Sequence, residues 1–250
     1  METGHWNRWL ESLINLEAAR SGRLLFHNRE AMDNMMFLSI VRQIIGGFGT
    51  TLLLFFFTLL FSMPLGILFA VARMSKFKPL QMFMQVFISV LRGTPLMLQL
   101  IVVFFMPFYV FGMKLSTGWR LYAALIGFSV NYAAYFGEIF RAGIQAVPTG
   151  QREAAEVLGF TRMQTFWRIV FPQMVKRVIP PVTNEVITLV KDTSMAFAIA
   201  YAEMFTMAKQ VAAQMSNILP LFVAGIFYYV FNIVVAGIMG MIEKKLDYFE

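Results

Sequence analysis

Glu185, Thr188 and Asp192 recur at i, i+3 and i+7 in a largely apolar stretch, so a helix there carries two carboxylates and a hydroxyl on one face. Asn184 and Lys191 flank that stripe. A carboxylate so placed can hold an amino group through charge-assisted hydrogen bonds. The alternative is structural: a Glu-Lys or Asp-Lys pair that fixes helix packing, with Lys191 to Ser194 as a turn. Gln99 and Asn131 are neutral polar residues in other apolar stretches. They either line the same path or hydrogen-bond between helices. Arg92 stands before a break, Gly93-Thr94-Pro95, and reads as a structural anchor with Glu138 as its carboxylate partner.

Other chemistry is poorly supplied. Cysteine is absent, which excludes disulfides, thiolate nucleophiles and Cys-based zinc sites. The two histidines, His5 and His27, lie far from any candidate site, so neither a metal centre nor a catalytic residue is expected. No G-x-x-x-x-G-K-[ST] occurs, so the chain supplies no P-loop, and no cofactor is expected on it. The net charge of +7 comes with no nucleic-acid-binding motif.

The elements that must position the polar residues are greasy. Of the 250 residues 58% are hydrophobic and 14% charged, against about 25% charged in soluble domains. Stretches near 20 apolar residues suit spanning helices. They place spans at 48–72 with Pro64 as a kink, 95–111, 121–141, 179–197 from Pro180-Pro181, and 218–242. The expected fold class is an all-α polytopic membrane protein with five transmembrane helices. Pro95 disfavours helix at Thr94 and suits a new helix start, with Thr94 as its N-cap.

Basic residues orient the spans. Arg73, Lys76, Lys78, Arg141, Arg152, Arg162, Arg168, Lys176, Arg177, Lys244 and Lys245 fall on one side, and Lys114, Arg120 and Lys209 on the other. The first side is then cytoplasmic, with the N-terminus outside and the C-terminus inside. Residues 1–47 form an extension in which "WNRWLESLINL" is either an interfacial amphipathic helix or a mobile tail. Residues 48–245 form the membrane domain, and 246–250 a cytoplasmic tail.

One cytoplasmic insert, "PTGQREAAEVLGF" (148–160), is polar. After a Pro148-Thr149-Gly150 turn, with Thr149 able to cap, Ala154, Val157 and Leu158 share one helix face. Arg152, Glu153 and Glu156 lie mainly on the other. Gly159 ends the helix. Such a helix either rests at the lipid interface or docks in a partner's groove.

"EAAEVLGFTRMQTFWRIVFPQ" resembles the EAA loop of ABC importer permeases, through Glu153-Ala154-Ala155, Gly159, Ile169 and Pro172. "GTTLLL", "LRGTPLMLQL", "EIFRAGIQAVPTGQREAAEVLG" and "NEVITLVKDTSM" are similar to the polar amino-acid uptake permeases, over roughly residues 45–245. Gly137 before Glu138, where that family often has alanine, and the long N-terminal extension depart from the pattern.

The resemblance implies a type I ABC importer transmembrane domain with a coupling loop at about 145–173. Gly150, Arg152, Glu153, Ala154, Ala155, Leu158 and Gly159 would engage a separate ATP-binding subunit, which carries ATP and Mg. It further implies a second permease subunit, the same or paralogous. An extracytoplasmic amino-acid-binding protein, an amino-acid substrate and a bacterial inner membrane complete the set. An ion-gradient-driven secondary transporter or channel is the alternative, since interrupted helices and buried charge suit one too.

Overall fold

The computed structural model describes residues 3–246, with side chains described from residue 34. The side chains of residues 6–16, on which the interfacial-helix expectation rests, and the tail beyond Leu246 lie outside that description. Met1–Gln43 and Ile44–Glu250 are two separate compact units. The elements are α1 (Thr3–Arg73), α2 (Lys78–Gly93), α3 (Leu96–Phe111), α4 (Trp119–Gln145), α5 (Thr149–Val157), α6 (Arg162–Thr165), α7 (Phe171–Asp192), α8 (Met204–Met215) and α9 (Leu219–Leu246).

Within Ile44–Glu250, α4 is the central post. Phe128, Tyr132 and Phe136 on it are fully buried or nearly so. It packs against α2, α3 and α7, while α9 packs on α7 and α8. Small residues let α1 approach it closely. A β-carbon on Gly66 would fall 2.7 Å from Phe136 Cβ, and one on Gly137 would fall 2.9 Å from Phe69 Cβ.

The expected break at Gly93-Thr94-Pro95 is present, and α2 and α3 meet there at 111°. Thr94 is extended (φ −120°, ψ 150°), as a residue before proline prefers. Thr94 does not cap α3; Pro95 holds the N-cap position without a side-chain bond. The Thr94 hydroxyl instead donates back to Val90 O at 2.8 Å, where it closes the end of α2 rather than opening α3.

Two expectations about the spans need correction. The number of apolar spans is not five. Among the described residues, the stretch Asn34–Arg73 of α1 and Leu219–Leu246 are long and apolar enough to cross a membrane, and the bent α2–α3 pair makes a third. Helices α4 and α7, of 27 and 22 residues, are roughly 40 and 33 Å long. They carry Arg120, Glu138 and Arg141, and Lys176, Arg177, Glu185, Lys191 and Asp192, which lowers their apolar character.

The second correction concerns the fourth span. It does not begin at Pro180-Pro181 or continue to residue 197. Helix α7 begins at Phe171, with Pro172 in its first turn, where a missing N–H costs nothing. Pro180 and Pro181 sit inside the helix, one exposed and one half-buried. A π-helical turn, Phe166–Val170, leads into α7. After Asp192 a 3₁₀ segment, Thr193–Ile199, ends at Ala200 with φ 52°. Pro64 likewise lies inside α1 without ending it.

Candidate functional site

The insert is a nine-residue helix, α5, seated firmly on one side and bare on the other. Its C-terminus closes as the glycine predicts: Gly159 has φ +79°. Gly159 N donates to Glu156 O at 3.0 Å and Phe160 N to Ala155 O at 3.0 Å. These are the two bonds of a Schellman motif, and the left-handed residue between them is unstrained only as glycine. The N-terminus differs from expectation. Pro148 is the N-cap and Thr149 the first helical residue, with no side-chain cap.

Ala155 is buried and forms the seat. Arg152 Nη2 donates to Ile144 O at 2.6 Å, which ties the helix to the end of α4. Arg177 of α7 donates to Ala146 O. A capping box follows, with Thr161 Oγ1 accepting from Gln164 N and Thr161 N donating to Gln164 Oε1. On the outer face Ala154 is exposed, Val157 is 88% exposed and Leu158 is 73% exposed. Gly150, Glu153 and Glu156 are exposed as well. Arg152 and Ala155 thus face inward, and Gly150, Glu153, Ala154, Glu156, Val157 and Leu158 face out.

The polar stripe runs along the edge of the buried face of α7, beside Val182 and Leu189. Asn184 and Lys191 are exposed, whereas Glu185, Thr188 and Asp192 are half-buried. Tyr132 OH donates to Asp192 Oδ2 at 2.8 Å, so α4 orients that carboxylate. The Thr188 hydroxyl is turned back to Asn184 O at 2.9 Å. Glu185 forms no ion pair within 4 Å among the described residues, but it lies within electrostatic reach of Arg92 and Asp192.

Gln99 and Asn131 are brought together away from that stripe. Gln99 Nε2 donates to Leu91 O at 2.8 Å and to Thr94 Oγ1 at 2.8 Å. Asn131 Nδ2 donates to Gln99 Oε1 at 2.9 Å and to Leu91 O at 3.2 Å. The Leu91 carbonyl would be orphaned where α2 stops; two amides from α3 and α4 satisfy it and hold the bend.

The expected Arg92–Glu138 pair is replaced. Glu138 Oε2 accepts from Arg141 Nε at 2.9 Å, and its Oε1 lies 3.6 Å from Arg73 Nε. Arg141 is one helical turn away on α4, so it reaches Glu138 at little entropic cost. The Arg92 guanidinium sits over the Tyr135 ring, 5.1 Å from its centroid.

Glu203 was not singled out by spacing, yet it organises the segment between α7 and α9. It is fully buried at the N-cap of α8. It accepts from Phe205 N at 2.7 Å, Thr206 N at 2.6 Å, Thr206 Oγ1 at 2.7 Å and Tyr228 OH at 2.8 Å. Burial pushes its carboxyl above the ordinary glutamate value, and the four donors pull it only part of the way back. Its position after Ala202 and before an apolar run is an N-cap signal in hindsight, though Glu is a less common cap than Asp or Ser.

Residues 62–248 match the family of the binding-protein-dependent transport system inner membrane component. The chain belongs to that family. The permease is 38% identical over 204 residues to the L-cystine transport system permease protein TcyB of Bacillus subtilis (strain 168), covering 81% of this chain and 86% of the relative. It is 35% identical over 217 residues to the arginine transport system permease protein ArtQ of the same organism, covering 85% and 98%. A crystal structure of an amino acid ABC transporter with histidines aligns at TM-score 0.76 and 28% identity, over 84% of the permease and 97% of that chain. The inward-facing MetNI methionine ABC transporter aligns at 0.63 and 18% over 85% of the permease and 96% of that chain, and shares the fold. The permease has the type I ABC importer fold, and α5 stands where the EAA-like residues lie.

Proposed function

We propose that the permease forms the translocation pathway for ATP-driven import of an amino acid across the bacterial cytoplasmic membrane. The observation that carries this reading is α5. It presents Ala154, Val157 and Leu158 outward from a base fixed by Ala155, Arg152 and the Schellman closure. Val157 and Leu158 form an exposed aliphatic pair at the C-terminal end of this otherwise polar helix, a surface that a partner's groove would cover. The helix-in-groove mode fits a separate ATP-binding subunit, which would hold ATP and Mg.

Similarity to permeases of cystine, glutamine and arginine transport systems supports an amino acid as the substrate class. A second permease subunit would close the path along α7, where Asn184, Glu185, Thr188, Lys191 and Asp192 form its wall. An extracytoplasmic binding protein would deliver substrate to the opposite face. Under this reading the N-terminus lies outside and the C-terminus inside.

Force transmission follows from the joints. Closure of the ATPases moves α5. The Arg152–Ile144 bond passes that motion to α4, and the Arg177–Ala146 bond passes it to α7. These two helices carry Tyr132 and Asp192, so the stripe moves with them. Glu185 and Asp192 offer carboxylates to an α-amino group, and Arg92 offers a guanidinium within reach of Glu185.

The test is co-expression with the ATPase and binding protein. Glu153→Lys or Gly159→Pro should abolish ATPase co-purification and uptake while membrane insertion persists. Glu185→Ala should reduce transport more than expression. Normal assembly in the first pair, or unchanged transport in the last, would overturn the corresponding role.

A further inference from the structure

Four arginines and one carboxylate line two neighbouring cavities at the end of the bundle that carries α5. Arg92, Glu138, Arg141 and Arg177 line a cavity of about 450 Å³. Arg73, Arg92 and Glu138 line an adjoining one of about 340 Å³, together with Gln85 and Ser89. We propose that these joined cavities bind a phosphate-bearing anion, a phosphate monoester or diester group.

The charge count comes first. Four guanidinium groups line the two cavities with Glu138 as their one lining carboxylate, while Glu185 lies within electrostatic reach of Arg92 from outside them. Glu138 is already engaged by Arg141 and Arg73. Arg141 is largely spent, since it also donates to Gln145 Oε1 at 2.6 Å. The other three are not. Arg73 meets Glu138 only through Nε at 3.6 Å, a contact too long for a hydrogen bond. Arg92 has an aromatic face beneath it and no carboxylate within 4 Å among the described residues. Arg177 gives one nitrogen to Ala146 O. Each guanidinium has five N–H donors in a planar fork, so a surplus of donors lines the two cavities with one carboxylate among them. Tetrahedral phosphate oxygens match that fork bidentately.

Position agrees with the chemistry. Arg73 is the last residue of α1, and Arg92 lies in the last turn of α2. Arg141 lies on the last part of α4. Basic pockets between spanning helices near a membrane surface are suited to anionic headgroups. The ligand has two possible sources, a phospholipid headgroup or free phosphate, and both offer the same oxygens. The test reads lipid retention and melting temperature and needs neither ATPase nor uptake, so failure here is distinguishable from failure of the import reading.

The experiment uses the full-length chain in nanodiscs of phosphatidylcholine alone, of phosphatidylcholine with phosphatidylglycerol, and of phosphatidylcholine with inorganic phosphate in the buffer. Melting temperature and lipid retention in native mass spectrometry are read. Phosphatidylglycerol is expected to raise the melting temperature and to be retained over phosphatidylcholine. Stabilisation by inorganic phosphate in neutral lipid would support the site with the soluble source. Arg92→Gln and Arg177→Gln should each weaken binding about fivefold. Glu138→Gln should tighten it, a gain that general destabilisation cannot imitate. Equal behaviour in all three media, or undiminished lipid preference in both Arg92→Gln and Arg177→Gln, would overturn the proposal.

Discussion

Replacing Val157 and Leu158 together by serine separates what α5 does for the permease from what it does for a partner. Both side chains are largely in solvent, at 88% and 73% exposure. Their removal therefore takes little from the fold, within about 0.5 kcal/mol for such surface changes. If they enter a groove on docking, each loses about 1.5–3 kcal/mol of burial. The pair then costs about 3–6 kcal/mol, or roughly 10²- to 10⁴-fold in affinity for the ATPase. Ala155→Leu is the opposite control. Ala155 is 1% exposed in the seat, so a larger side chain should lower permease stability by about 1–3 kcal/mol through overpacking. The assay is ATPase binding to detergent-solubilised permease, with thermal unfolding of the permease measured in parallel. Two results would refute the reasoning: ATPase affinity within twofold of the parent, or a melting loss in the serine variant matching that of Ala155→Leu.

Other consequences follow from single contacts. Gly66→Ala brings a β-carbon to 2.7 Å from Phe136 Cβ. With backbone on both sides it should cost about 1–3 kcal/mol, read as a lower melting temperature; no change would mean that α1 and α4 can separate freely. Asn131→Ala removes one of the two amides on Leu91 O and leaves Gln99 Oε1 without its donor. Pair terms inside membranes are about 0.6 kcal/mol and reach about 1.7, so a small but measurable melting loss is expected. Glu203 gives a pH dependence. Because burial raises its carboxyl, the folded chain keeps a proton that the unfolded chain releases. That stability is full below the ordinary value of 4.5 and declines as pH rises through the folded value. Glu203→Gln, which resembles the protonated form, should flatten the decline in melting temperature from about pH 5 upward; an unchanged slope would assign it to other groups.

Helix α5 was legible because its signals are local. The turn into the helix at 148–150 and Gly159 at a left-handed position are set within 148–160, whereas the face that is seated was not legible, because Arg152 turns inward beside Ala155 to bond Ile144 O. The 111° break at Thr94-Pro95 was legible for the same reason, since proline acts on its own neighbours. Side-chain partnerships were not. Arg92 and Glu138 have matching charges, yet Arg141, one turn along the same helix, takes the carboxylate. Tyr132–Asp192 spans sixty residues, and nothing in spacing marks it. Asn131 and Gln99 looked like polar residues in apolar spans, and only the bend reveals the orphaned carbonyl that they serve. The start of α7 was misplaced because prolines break helices in isolation, whereas here Pro172 occupies the first turn and Pro180 and Pro181 are carried inside.

Reconstituted uptake of radiolabelled amino acids tests the central claim most directly. The permease is placed in vesicles with its ATPase and binding protein, and each component, ATP and the ion gradient is withdrawn in turn. Uptake that requires ATP, the ATPase and the binding protein, and that disappears in the Val157/Leu158 serine variant, is the predicted result. Uptake by the permease alone, driven by an ion gradient and indifferent to that variant, would contradict it.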